Sequence, residues 1–132
     1  MSQENVELTR RGYEAYNSGG LEAIIDFLDP EIEWTEGADV PEVKTYHGHD
    51  GVREQQARFA SAWEEFGLEP EELVDAGDQI VAMIRAWGRG KGSGAIVEAR
   101  VAQVWTIRDG KAVRFEVFMD RHKALEAVGL RE

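Results

Sequence analysis

The sequence predicts an α+β fold, with helices gathered toward the N-terminus and a run of long antiparallel strands after them. Three observations carry that expectation. Apolar residues recur at helical spacing as far as Phe66, the pattern changes to period two from Leu68 onward, and Asp109-Gly110 joins the last two alternating runs. Asp-Gly between alternating apolar runs is the strongest short-range hairpin signal a sequence offers. Helices and hairpins segregated in this way argue against a parallel doubly wound sheet.

Each element has its own signal. Ser2 is placed to cap a helix over Gln3 to Ser18, with Glu4 and Glu7 at its positive end and Val6, Tyr13 and Tyr16 on one stripe. Gly19-Gly20 ends it. A shorter helix is expected over Leu21 to Leu28, stopped by Asp29-Pro30. Ile32 to Thr35 reads as a brief strand, and Glu36 to His49 as irregular chain. Asp50 is the expected cap of a third helix, Gly51 to Phe66, with Val52, Phe59, Trp63 and Phe66 on its stripe. The strands follow: Leu68 to Asp75, Gln79 to Trp87, Ile96 to Ile107 and Lys111 to Met119. They are joined at Ala76-Gly77-Asp78, at the glycine-rich Gly88 to Gly94, and at Arg108-Asp109-Gly110. Arg121 to Val128 closes the chain as a short helix.

At 132 residues the chain suits one domain, residues 1–132, with a core of useful size. Its 26 acids and 15 bases give a net charge of −11. Such a surface repels phosphate backbones and anionic lipid, so neither a nucleic-acid nor a membrane partner is expected. No apolar run approaches the length of a membrane span, and Met1-Ser2-Gln3-Glu4-Asn5 gives no sign of a secretory leader. The absence of cysteine rules out disulfides and thiolate chemistry and fits a cytoplasmic setting.

The strand after Gln79 is apolar on both sides, Ile80/Ala82/Ile84 and Val81/Met83/Trp87. One helical layer covers one face of a sheet, so a second cover is expected. The simplest is another copy of the same sheet, in a homodimer packed face to face. The last strand ends on Asp120, which is either a catalytic base at a pocket mouth or the first polar residue beyond the sheet.

The layout and the wording of three segments resemble the SnoaL-like branch of the nuclear-transport-factor-2-like superfamily, which also holds ketosteroid isomerases and limonene epoxide hydrolases. The segments are Ala15-Tyr16-Asn17-Ser18-Gly19-Gly20-Leu21, Tyr46-His47-Gly48-His49-Asp50-Gly51-Val52, and Arg108-Asp109-Gly110-Lys111 through Asp120-Arg121. The resemblance implies a cone-shaped curved sheet, mixed or antiparallel, wrapped on three N-terminal helices around a deep apolar pocket, with a short C-terminal helix. Carried over residue by residue, it matches Asp120 to the general base of SnoaL-type cyclases and to one acid of the epoxide hydrolase site, and Arg85 to the arginine of that hydrolase site. The second hydrolase acid falls on Trp87, its water-holding asparagine near Glu36 and its tyrosine near Trp34. Of the ketosteroid isomerase site, the tyrosine falls at Gly12, one step from Tyr13, the base near Trp34, and the protonated acid near Gln103.

These matches point to a small hydrophobic ligand and, where there is chemistry, to cofactor-free proton transfer or ring closure. Asp120 is then the base and Arg85 the partner that steadies an enolate oxygen. Epoxide hydrolysis and non-catalytic binding are the alternatives. Tyr16, Trp34, Trp63, Trp87, Trp105 and Phe118 supply aromatic walls, although the helical stripe also reads Trp63 as plain core. Glu36 offers a second carboxylate, and His49 and Gln103 offer hydrogen bonds. Glu33 is expected to point to solvent. His47 and His49 form a His-x-His pair with only His122 as a further imidazole, so no metal and no other cofactor is expected. Gly88 to Gly94 joins two strands and does not lead into a helix, which sets it apart from a phosphate loop.

Overall fold

The computed structural model describes residues 2–130, apart from the side chain of Ser2, whose expected capping role lies outside the described residues. Six strands form one mixed sheet in the order β2-β1-β6-β5-β4-β3. They are β1 (Leu28–Glu36), β2 (Lys44–His47), β3 (Trp63–Ala76), β4 (Gln79–Gly90), β5 (Ile96–Arg108) and β6 (Lys111–Phe118). The last four make the expected antiparallel meander. β1 lies parallel to β6 and antiparallel to β2. At the hairpin between β5 and β6, Asp109 and Gly110 both have positive φ, 53° and 77°, the pair of left-handed residues a type I′ turn requires.

Several expectations are corrected. The sheet is neither curled into a cone nor closed: it runs open from one edge, β2, to the other, β3. The helices are not all N-terminal. α1 (Ser2–Gly19) precedes the sheet, α2 (Gly48–Ala60) follows β1 and β2, and α3 (Arg121–Ala127) follows β6. The segment expected as a second helix makes two 3-10 turns, Leu21–Ala23 and Ile25–Phe27, and Leu28 already belongs to β1. Nine residues lie between Gly20, at φ 74°, and Pro30, and the proline disfavours the helical region at Asp29 before it. Pro30 is tolerated in β1 because it stands between Leu28 and Glu33, where the ladder to β6 is interrupted.

α2 begins earlier and ends earlier than expected. His47 takes the N-cap position without a side-chain bond, Asp50 lies in the first turn, and Trp63 and Phe66 belong to β3. The stretch read as irregular contains β2.

The sheet separates two cores. On one face, α1 and α2 cover Ile32, Trp34, Ile80, Ala82, Ile84, Trp105, Ile107 and Phe115, with Tyr13, Tyr16 and Val52 contributed by the helices. On the other, α3 sets Ala124 and Leu125 against Val81, Met83, Ala102, Val104 and Phe118. The second apolar face is therefore covered in part by the chain's own C-terminal helix. Among the described residues, no helix is long and apolar enough to cross a membrane.

Candidate functional site

Between α1, α2 and the sheet lies an apolar cavity of about 200 Å³. Strand alternation decides what reaches it. Trp34 and Glu36 project from β1, Phe66 and Leu68 from β3, Ala86 from β4, Val101, Gln103 and Trp105 from β5, and Phe115 and Val117 from β6. Thr9, Gly12, Tyr13 and Tyr16 line it from α1, and Gln55, Gln56 and Phe59 from α2, with Ile24 and Phe27 between. The aromatic residues lean on one another. Trp34 and Phe115 have ring centroids 4.0 Å apart, Trp105 and Phe115 4.4 Å, and Phe59 meets Phe66 edge to face at 4.8 Å.

Two polar chains cross this apolar wall. In the first, the Trp105 indole donates to the Tyr13 hydroxyl at 2.9 Å, and that hydroxyl donates to Gln103 Oε1 at 2.5 Å. Burial drives the Tyr13 pKa well above its ordinary value of 10, with the Trp105 bond a smaller opposing influence. In the second, the Tyr16 hydroxyl donates to Gln56 Oε1 at 2.6 Å, Gln56 Nε2 donates to Gln55 Oε1 at 2.6 Å, and Gln55 Nε2 donates to Glu36 Oε2. Burial pushes the Tyr16 phenol up to about 12, against the bond to Gln56. Both tyrosines therefore stay neutral at physiological pH.

Glu36, Gln55 and Phe59 also line a broader groove of about 470 Å³, bordered by Glu42, Lys44, Arg58 and Trp63. Glu36 thus marks the end at which the cavity adjoins this outer groove.

The residues expected at the site divide cleanly. Tyr16, Trp34, Glu36, Gln103 and Trp105 come together on the cavity. Arg85, Trp87 and Phe118 lie on the opposite parity of their strands, away from it. Arg85 bridges Glu69 of β3 at 2.5 Å and Glu98 of β5 at 3.1 Å, so two carboxylates do flank it, but on the outer face. Trp87 lies over Gly67, where a Cβ would come within 2.6 Å of its indole nitrogen. Phe118 packs in the second core with α3. Trp63 lies over Gly88 and borders the outer groove. His49 is held by the carbonyl of Leu28, 2.8 Å from its Nε2. Glu33 is exposed, 3.6 Å from Arg114.

Asp120 is an exposed helix cap. Its side chain accepts from the His122 backbone N–H at 2.8 Å, starting α3. Its own N–H and that of Met119 donate to the Asp39 carboxylate. Burial works to raise the Asp39 pKa, but those two donors and its own N–H outweigh it and hold the pKa low. Asp120 and Arg85 therefore do not form a pair, and neither lines the cavity. Among the described residues, no group of three or more histidine or acidic side chains is placed to hold a metal ion.

Sequence reasoning missed Gln55 and Gln56, which look like surface polar residues of a helix. It also missed Phe59 and Phe66 as cavity walls. The neighbouring Val52 on the α2 stripe is the one signal that Gln55, three residues on, faces inward. A half-buried carboxylate outside the site, Glu116, has its pKa raised by burial but stands on the outer face of β6.

A helix-covered mixed sheet enclosing an apolar cavity with a few convergent polar groups is a small-molecule pocket architecture. The chain belongs to the SnoaL-like domain family, whose model matches residues 9–115, within the nuclear-transport-factor-2-like superfamily. It is similar to an NTF2-like protein from Burkholderia thailandensis, with 33% identity, 86% of this chain and 88% of that one covered, and a TM-score of 0.75. An NTF2-like protein of unknown function from Burkholderia pseudomallei is 25% identical, with 95% and 97% covered and a TM-score of 0.77. TerC, solved with polyporic acid, is also 25% identical, with 94% and 97% covered and a TM-score of 0.76. No curated protein matches the chain at a significant level.

Proposed function

We propose that this protein binds a small, largely apolar organic molecule in the cavity behind α1, with Glu36 meeting the ligand's polar end. The observation that carries the reading is a cavity walled by aromatic and aliphatic side chains, with one carboxylate where it adjoins the outer groove. The similar TerC structure, solved with polyporic acid, supports a small-molecule role for this architecture.

Enolate chemistry fits this cavity poorly. Stabilising an oxyanion takes donors aimed at the developing charge. Here the Tyr13 hydroxyl is committed to Gln103, the Tyr16 hydroxyl to Gln56 and the Trp105 indole to Tyr13. Asp120, as a base, stands outside the cavity. Binding without turnover fits these committed donors, and Glu36 is the carboxylate on the cavity wall. A homodimer through the outer sheet face belongs to the same proposal, since α3 covers only part of that face. Light scattering at micromolar concentration should give twice the 14.8 kDa chain mass, and a monomer mass refutes it.

The test of binding is a titration with tert-butylbenzene, followed by tryptophan fluorescence, in the wild type and in Ala86→Phe. Ala86 lines the cavity from β4, so the added ring occupies the ligand's space. Affinity should fall at least tenfold. Equal affinity in the two proteins places the ligand elsewhere and refutes the reading.

A further inference from the structure

The cavity lining has an unusual charge pattern. Of the described side chains that line it, Glu36 is the one carboxylate, and no lysine, arginine or histidine is among them. An arginine or lysine would be expected if the ligand were an acid, because a buried anion needs a countercharge or several donors. A purely neutral ligand would strip water from the Glu36 carboxylate and return nothing for it.

Glu36 follows Trp34 by two residues in β1, so both project to the same face of the sheet. Gln55 Nε2 holds Glu36 Oε2, and Gln55, itself 5% exposed, is held in turn by Gln56. No second donor reaches this carboxylate among the described residues, which leaves Oε1 for a ligand. Aromatic side chains line the same cavity, and the faces of such rings attract organic cations. A net charge of −11 adds a field that draws cations toward the molecule. Lys44 and Arg58 border the outer groove, but both are exposed, where salt screens them, and Glu42 stands beside them.

Building on the small-molecule reading above, we propose that the ligand is an organic cation, an amine or quaternary ammonium with an apolar body, its charge seated against Glu36 inside the aromatic wall.

The experiment compares phenyltrimethylammonium with tert-butylbenzene, two molecules of the same shape that differ by a charged nitrogen in place of carbon. A pocket indifferent to charge prefers the hydrocarbon by orders of magnitude, because the ammonium gives up hydration to enter. The wild type should bind phenyltrimethylammonium at least as tightly as tert-butylbenzene. Glu36→Gln, which keeps the shape and an acceptor for Gln55, should weaken the cation at least fivefold and the hydrocarbon less than twofold. Tighter binding of the hydrocarbon by the wild type overturns the cation proposal and leaves the binding site standing. A cation affinity that Glu36→Gln leaves unchanged also overturns it. If neither probe binds, the small-molecule reading and this inference fall together.

Discussion

Replacing Tyr13 by phenylalanine removes one oxygen atom from the centre of the first polar chain and leaves the ring in place. Tyr13 is 4% exposed, and its ring meets Trp105 edge to face at 6.0 Å, a contact the variant keeps. What it loses is an acceptor for the Trp105 indole and a donor to Gln103 Oε1. A buried group left unsatisfied costs roughly 1–3 kcal/mol. Gln103 and Trp105 both line the cavity, so water recovers part of that for each. The sum is a loss of about 2 kcal/mol, or about 4–8 °C in Tm for a chain of this size. Urea unfolding followed by tryptophan fluorescence measures it, with the midpoint lowered and the slope unchanged. A loss below about 0.5 kcal/mol would show that the hydroxyl is not the shared node of that chain, and the reasoning about the cavity wall would fail.

Other consequences are equally direct. The folded protein holds the Tyr16 proton up to about pH 12, whereas the unfolded chain releases it near 10. The unfolded state therefore binds fewer protons above pH 10, and stability falls as pH rises through that value, by up to about 1.4 kcal/mol per pH unit for each such tyrosine. Tyr13 acts in the same direction, so alkaline unfolding of Tyr16→Phe, followed by circular dichroism, should show a shallower slope. An unchanged slope would contradict burial of that phenol. Asp120→Ala removes the cap of α3 and should cost about 1 kcal/mol, while tert-butylbenzene affinity stays within twofold. Loss of binding in that variant would bring Asp120 back to the cavity. Gly67→Ala drives a Cβ to 2.6 Å from the Trp87 indole nitrogen and should cost about 1–3 kcal/mol in chemical denaturation. A neutral effect would mean that Trp87 does not lie over Gly67.

The meander was legible because turn chemistry and alternation agree. Asp109-Gly110 supplies the two left-handed residues, and the runs on either side pair as the pattern requires. The extent of α2 was not legible. Trp63 and Phe66 are three apart, which suits a helix, and the register shift between Trp63 and Glu65 disturbs the period-two pattern that would have marked the start of β3. The faces of β4 were equally hidden. Ile80 to Ile84 are apolar on both parities because α3 covers the outer face, so nothing local reveals that Ala86 faces the cavity and Arg85 does not. Matching Arg85 and Asp120 to relatives transferred positions, and the side-chain partners, Glu69 and Glu98 for one and the α3 backbone for the other, are set by this chain alone.

Of the aromatic residues, Tyr16, Trp34 and Trp105 lie on the cavity, and Phe118 packs in the second core. Trp87, read as part of the same wall, illustrates the limit: one step of parity places an indole on the other side of the sheet.

The four tryptophans give the most direct test of the central claim that the cavity behind α1 is the binding site. Each indole N–H has its own nitrogen–proton resonance. In a titration with tert-butylbenzene, the resonances of Trp34 and Trp105, which line the cavity, should shift, and that of Trp87, on the outer face, should stay in place. Movement of Trp87 with Trp34 and Trp105 unmoved would contradict the account.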